Sequence, residues 1–543
     1  MSKVATYLRG HLSGEVSVRN DIREAMSTDR GILRIKPEIV IFPRSTNDIR
    51  KVTRFAWQLA EKGHVLPITV RGAGTDATGA SIGRGVSLVT TAHMNRLFEY
   101  DAKQKLVRLQ PGVTVGTLSQ ALGLHGYAIM PFLGSHDIGT VGGAIASAVT
   151  GPYAGKYGTL DGVVEQLEVV LANGDVMQTG RISKRELSRR KGVPGLEGDI
   201  YRGIDGLIDE NTELLDTLKA NDATGYNTIA DVKQKDGSFD LTPLFVGAQG
   251  TLGIVSEMIL KSEFRSLHND VALLVFEEAN AARDALDDLV RLSPALIEYF
   301  DASLFEIAAT HGKVYDWYAR AKETVVPASV VMVTFDEFTD RQRAKHLKKI
   351  TKQFGAMQGV VLTTAVDAAA DDMLAALDVT YYACLPDKTE HTSPAIFDGF
   401  HVPTARLEDF ATALTALAHK NHIDLPLSGH VVTNTYAIHP MFDLKKVGDK
   451  QKVFKLLDEL TKIVYAHGGT MVAEGGEGRL KSKFIYCGLD EKLVQLYKDI
   501  RVVCDPHGIL NPGVKEVTDV RQLAEQFHDD SVHGSYARFG LLS

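Results

Sequence analysis

Three features of the 543-residue chain predict an α+β fold. In the first half, short β-branched runs alternate with stretches whose apolar residues recur at helical spacing. Two glycine-rich loops punctuate that alternation. Near Glu263–His268 the composition shifts and a second alternation begins, for which an antiparallel sheet layered with helices is expected.

The elements follow in order. Glu38–Phe42 is a β-branched run closed by Pro43. Ser45–Asp48 supplies N-cap candidates, and Ile49, Val52, Phe55, Ala56 and Leu59 then repeat with helical period. Leu66–Val70 predicts a strand that enters the loop Arg71–Gly79. Ser87–Thr90 and Lys105–Gln110 are further strands, the latter ended by the Pro111–Gly112 turn. Val164–Leu171, Asn173–Gly174 and Asp175–Gln178 have the pattern of a hairpin. Phe245–Lys261 predicts another strand pair, broken by glycines. Beyond the shift, Val271–Phe276 and Ser329–Phe335 predict strands and Arg341–Gln353 a helix. From about Ile485 the chain ends in a helix and the loop Asp505–Gly513.

Composition narrows the partners. Apolar residues make up 44% and charged residues 24%, the balance of an ordinary globular protein. Basic residues number 60 and acidic ones 68, a net charge of −8, so no nucleic-acid partner is expected. Met1–Val16 lacks an apolar run with a small-residue cleavage site, and no segment reaches the roughly 20 apolar residues that span a bilayer. The expectation is a soluble cytoplasmic protein, at most peripheral to the inner membrane. Arg181–Lys191 is basic enough to meet anionic headgroups, but Glu186 dilutes it and no apolar anchor adjoins, which favours a solvated face. The three cysteines, Cys384, Cys487 and Cys504, are far apart, neither a disulfide framework nor an iron–sulfur ligand set. Buried, reduced thiols are expected.

Gly72-Ala73-Gly74-Thr75-Asp76-Ala77 formally matches a dinucleotide fingerprint after a strand. That reading fails, because the glycine-rich Thr78–Gly85 cannot form the helix whose N-terminus would hold a pyrophosphate. Gly151–Tyr157 resembles a P-loop but is one residue short, with Tyr157 in place of the magnesium-binding hydroxyl. There remains a second cluster, Gly134-Ser135-His136-Asp137-Ile138-Gly139-Thr140-Val141-Gly142-Gly143. Two such loops can offer many backbone N–H groups to one diphosphate, whereas either alone reads as a tight turn.

Five stretches in order carry a family resemblance: Pro37–Pro43 with Arg44 and Asp48; Arg71–Thr75; Pro131–Ser147; Gly247–Ile254; and Asn511-Pro512-Gly513. With the lead-in Ser27-Thr28-Asp29 and Arg34–Pro37, the chain resembles the FAD-linked oxidases of the vanillyl-alcohol-oxidase type, in the D-lactate dehydrogenase and glycolate oxidase branch. The resemblance implies a lead-in over 1–30 and a PCMH-type FAD-binding domain of two α+β subdomains over 31–264. It implies a cap with an antiparallel sheet over 265–484 and a segment returning to the flavin over 485–543. It also implies that Arg71, Gly72, Ala73, Gly74, Thr75 and Asp76 cradle the FAD pyrophosphate. Pro131, Gly134, Ser135, Gly139, Thr140, Gly142, Gly143 and Ser147 join that cradle. Gly250, Thr251, Gly253 and Ile254 lie by the adenosine part, and Asn511 reaches the flavin. Relatives with covalent flavin can carry histidine where Thr75 stands, so a non-covalent FAD is expected.

The cap departs from the family pattern. Gly429-His430 matches the start of its usual motif, but the position seven residues after His430 is Ala437, with His439 two further on. The later Glu-His-Gly reads Glu474-Gly475-Gly476-Glu477, so the carboxylate is kept and the histidine is lost. Oxidising an alcohol needs a base for its hydroxyl proton. His430 is the first candidate, followed by Glu474 and Glu477. His430 and Glu474 would be two ligands for a divalent metal (zinc or manganese), fewer than the three usual for a catalytic zinc. Tyr381, Tyr382, Lys388, His391 and His401 also lie in the cap, but no arginine there matches a position that would bind a substrate carboxylate. The expected activity is oxidation of a small hydroxy acid, with electrons passed to a quinone, cytochrome or carrier protein. Alternatives are an alcohol or alditol oxidase using oxygen and a non-catalytic flavin-binding electron-transfer subunit. A homodimer and peripheral membrane contact stay open.

Overall fold

The computed structural model describes residues 2–132, 137–219, 222–266 and 268–528. Among these, three larger sheets organise an α+β fold. The first has four strands in the order Glu15–Ser17, Ile39–Phe42, Val86–Val89, Ile68–Arg71. Its three inner and far strands run parallel, with Glu15–Ser17 antiparallel at one edge. Ile39, Ile41, Val86 and Leu88 are buried, as strands covered on both faces require. The helix Thr46–Ala60 follows the predicted apolar series, burying Ile49, Val52 and Ala56. Its start is closed by Asp48 rather than by Ser45: the Asp48 carboxylate accepts from the Arg44 and Ser13 N–H groups.

The second sheet is antiparallel, in the order Leu97–Asp101, Leu106–Leu109, Ile254–Lys261, Val164–Val170, Val176–Gln178. The predicted hairpin at Asn173–Gly174 is present. The strand pair expected over 245–261 is not. Thr242–Phe245 is a short helix, the glycines at 247, 250 and 253 make a turning loop, and only Ile254–Lys261 is extended. Gly247 and Gly250 hold positive φ there, which ends regular structure.

The third sheet has seven antiparallel strands in the order Val360–Val366, Asp270–Phe276, Ser329–Phe335, Leu296–Asp301, Leu427–His430, Thr435–Ile438, Phe400–His401. The helix predicted over 341–353 spans Asp340–Phe354. The helix Glu491–Cys504 packs on Leu196–Glu210, and a Cβ at Gly203 would collide with Val503; a short helix, Val520–Glu525, follows later in the chain. Directly after Cys504 the chain returns to the first sheet. Ile68 N donates to Ile509 O and Asn511 N to Ile68 O, adding a short parallel rung at the edge.

The basic stretch forms the helix Lys184–Lys191, whose charges pair locally: Arg189 and Arg190 with Glu186, Arg190 also with Glu197, Lys191 with Asp205. The exposed Lys184, Arg185 and Arg189 give it a solvated face. All three cysteines are free. Cys384 and Cys504 are buried, but Cys487 is exposed at the end of a short helix, against the expectation of three buried thiols. No helix among the described residues is long and apolar enough to cross a membrane.

Candidate active site

A cavity of about 280 Å³ opens where the first sheet, the second sheet and the cap meet. The first glycine loop leaves Arg71 at the end of its strand and lines the cavity through Gly72, Ala73, Gly74, Thr75 and Asp76. Among the described residues, the backbone N–H groups of Ala73, Gly74, Thr75, Asp76 and Ala77 find no acceptor within the chain. Five consecutive unmatched donors at a cavity wall are a docking surface for an anion. The second loop meets the first edge to edge: a Cβ at Gly72 would collide with the Thr140 hydroxyl. Gly139, Thr140, Gly142, Gly143 and Ser147 line the same cavity. Among the described residues, three of the second loop's donors are already bonded within the chain. Val141 N donates to Val113 O, Gly142 N to Pro111 O and Gly143 N to Thr140 Oγ1. Both loops line the cavity, the first with a longer run of unmatched amides.

A second cavity of about 240 Å³ adjoins the first, and Arg30, Val149, Asp398, Gly399 and Glu474 line both. His430 stands at the end of the strand Leu427–His430, directly opposite Glu298 on Leu296–Asp301. Its Nδ1 lies 2.7 Å from Glu298 Oε1, and its Nε2 is 3.9 Å from Glu474 Oε1. The preceding glycine is required because the Tyr436 ring covers Gly429 from the facing strand. Glu474 is fixed from the other side, its Oε2 accepting from Thr150 Oγ1 at 2.7 Å and Thr150 N at 3.2 Å. Burial pulls the His430 imidazolium down, but the Glu298 carboxylate and, more weakly, Glu474 outweigh it and raise the imidazole to about 9. His439, which lines the same cavity and shares a hydrogen bond with Ser428 Oγ at 2.8 Å, is pushed down to about 4, chiefly by burial.

Residues 37–180 match the FAD binding domain family, and residues 266–514 match the family of FAD linked oxidases, C-terminal domain. The first match holds both glycine loops, the second His430 and Glu474. The chain belongs to the FAD-linked oxidases. It is 26% identical to the D-2-hydroxyglutarate dehydrogenase of Pantoea ananatis over 97% of its own length and 52% of that protein's, so it spans about half of that relative. It is also 26% identical to the glycolate oxidase subunit GlcD of Bacillus subtilis, over 90% of both chains. The 4-ethylphenol oxidase of Gulosibacter chungangensis shares the fold, with a TM-score of 0.68 at 16% identity over 96% of this chain and 98% of that one.

The cavity of this FAD-linked oxidase fits its cofactor. Its wall offers the unmatched amides of the first loop to an anionic group such as a diphosphate, and many of its lining residues are glycine, alanine, serine or threonine. Gly250, Gly253 and Ile254 line the cavity. Several other implied residues support it from behind instead. Arg71 is buried, does not line the cavity, and packs its guanidinium under Gly74. Pro131 accepts from Gly151 N, and its neighbour Phe132 is the lining residue. Thr251 donates to Ala248 O and meets the Tyr226 hydroxyl. Asn511 does not reach into the cavity. Its amide donates to Ala80 O and Gln249 O, and its carbonyl accepts from Thr69 and Arg479. It ties both walls together through strong, fully used side-chain bonds, which leaves it nothing for a ligand. Gly134 and Ser135 lie outside the described residues.

Glu477 is a correction of another kind. Its carboxylate is buried, 2.7 Å from Lys515 Nζ, and accepts from Tyr486 and the Gly225 N–H. A charge neutralised this completely, on the far side of Gly476, is structural rather than catalytic. Among the described residues no three metal-ligating side chains converge, and His430 with Glu474 is a two-donor set that does not fit a divalent metal. Glu298 was missed in the sequence. The signal was available: a lone carboxylate inside the apolar run Leu296–Phe300, where a strand buried on both faces has no use for charge unless it is paired.

Proposed function

We propose that this chain oxidises a small 2-hydroxy acid, with His430 taking the hydroxyl proton. Bound FAD supplies the acceptor for the hydride leaving the substrate carbon. His430 is held by Glu298 through Nδ1, so its Nε2 is the nitrogen turned to the cavity. When Nε2 accepts a proton, the Glu298 carboxylate stabilises the imidazolium that results. Glu474, clamped by Thr150 on the wall common to both cavities, limits how a substrate can sit between base and flavin. The observation that carries the reading is this histidine–carboxylate pair opening onto a cavity that shares a wall with the flavin cavity.

The relatives named for D-2-hydroxyglutarate and glycolate support an acid substrate. The reduced flavin would then be emptied by a quinone, cytochrome or carrier protein, in a cytoplasmic setting. The two-donor set favours one rival, an alditol oxidase using oxygen, because a neutral polyol needs no cation to hold a carboxylate. The test is the visible spectrum of the flavin-loaded protein under anaerobic conditions, before and after D-2-hydroxyglutarate, D-lactate, glycolate or xylitol. Bleaching by one of the acids supports the proposal. Bleaching by xylitol alone transfers it to the rival, and bleaching by none removes a catalytic role.

A further inference from the structure

The wall between the two cavities contains a cation that belongs to neither family-matched segment. Arg30 lies in the lead-in, before the first strand of the first sheet's parallel set. Its backbone is fixed against the first glycine loop: Arg30 N donates to Asp76 O, and the Asp29 carboxylate accepts from Gly31 N and Gly79 N. From this anchor the side chain crosses to the cap, where Nη2 donates to Cys384 Sγ at 3.3 Å. Among the described residues Arg30 is the only arginine or lysine lining either cavity.

The charges around it are lopsided. Glu298, Asp378, Asp398 and Glu474 line the second cavity. Glu298 is matched by His430 and Asp398 by Lys481, which bonds it at 2.7 Å. An anion brought in by a substrate would need a cation in this acidic wall, and Arg30 is the arginine that lines it. We propose that Arg30 binds the carboxylate of the substrate, setting specificity for hydroxy acids over neutral alcohols. The inference rests on the hydroxy-acid reading. It assigns to the lead-in a role that the cap's own residues do not fill. Arginine suits it because a planar guanidinium can grip both carboxylate oxygens.

The experiment uses the flavin-loaded full chain with Arg30→Met and Arg30→Lys. Oxalate, a non-oxidisable dicarboxylate, is titrated against the flavin absorbance, and the rate of flavin reduction is measured over a range of acid concentrations. Arg30→Met is expected to weaken oxalate binding and raise the half-saturating acid concentration by about 10–100-fold. Arg30→Lys should recover part of the loss, and FAD content should match the wild type. Unchanged oxalate affinity and half-saturation in Arg30→Met would overturn the inference while leaving hydroxy-acid oxidation standing. Loss of flavin from both variants would also overturn it, by assigning Arg30 to the cofactor. A wild type that oxalate perturbs but no hydroxy acid reduces would sink the proposed activity alone, provided Arg30→Met then loses oxalate. If oxalate leaves the wild type unperturbed as well, both fall together.

Discussion

His430 and Glu298 face each other across two neighbouring antiparallel strands, Nδ1 to Oε1 at 2.7 Å, so that one buried carboxylate sets both the tautomer and the basicity of the ring that meets the cavity. Replacing His430 with alanine should abolish substrate-driven flavin bleaching and leave FAD bound, since His430 lines only the second cavity. Reduction kinetics equal to wild type would take His430 out of the mechanism.

The raised imidazole has a pH signature. A base must be deprotonated to act, so the flavin reduction rate at saturating substrate should climb as pH rises and level off above about 9. In Glu298→Gln the pairing charge is gone, and the inflection should move to lower pH. The stability contribution runs the other way. A raised pKa stabilises the folded protonated form, so that contribution is complete below the unfolded value near 6.5 and is lost as pH passes about 9. Stopped-flow rates across pH 6–10 test the first statement, and thermal melts over the same range test the second. A rate profile that is flat or falls with pH would remove the base role.

Glu477→Gln should act on stability, not chemistry. It strands the fully buried Lys515 ammonium, a loss of about 3–5 kcal/mol where one partner of a buried pair is removed. Denaturant melts should show the loss, while the reduction rate per bound flavin stays at the wild-type value. A lowered rate in folded, flavin-loaded protein would restore Glu477 to the active site.

Gly72→Ala should strip the flavin. The added Cβ would collide with Thr140 Oγ1 and push the two loops apart, and overpacking of this kind costs about 1–3 kcal/mol. The flavin-to-protein absorbance ratio should fall, and Gly72→Ala with Thr140→Gly should regain part of it. A ratio that stays at the wild-type level in the single variant would mean that the loops can separate freely.

Non-covalent FAD is checked by acid precipitation of the holoprotein. With Thr75 where covalent relatives can carry histidine, yellow flavin should appear in the supernatant and none in the pellet. Flavin left in the pellet would point to another attachment residue.

Much of the fold was legible because its signals are local. The run Ile39–Phe42, the helix Thr46–Ala60 and the strand Ser329–Phe335 each declare themselves through apolar period and chain-breaking neighbours. The stretch 245–261 was misjudged because glycine spacing looks alike in a hairpin and in a turning loop, and contact with Ala146 and Ile145 decides between them. The site was legible as far as its motifs. Gly72 and Gly142 line one cavity, and each is held to glycine by a neighbouring segment, Thr140 for Gly72 and the Pro111 turn for Gly142.

The sequence by itself determined the α+β class and the two glycine loops from short windows, and the family from five stretches in order along the chain, and it singled out His430 as a candidate. Only the tertiary structure decided which side chains share a cavity. It brought Glu298 to His430, 132 positions apart in sequence, carried Arg30 to Cys384, 354 apart, and turned Glu477 and Asn511 away into structural bonds. The reason is physical: an ionisable group's role is set by the charges and water around it, and those neighbours come from strands and loops whose pairing no local pattern encodes.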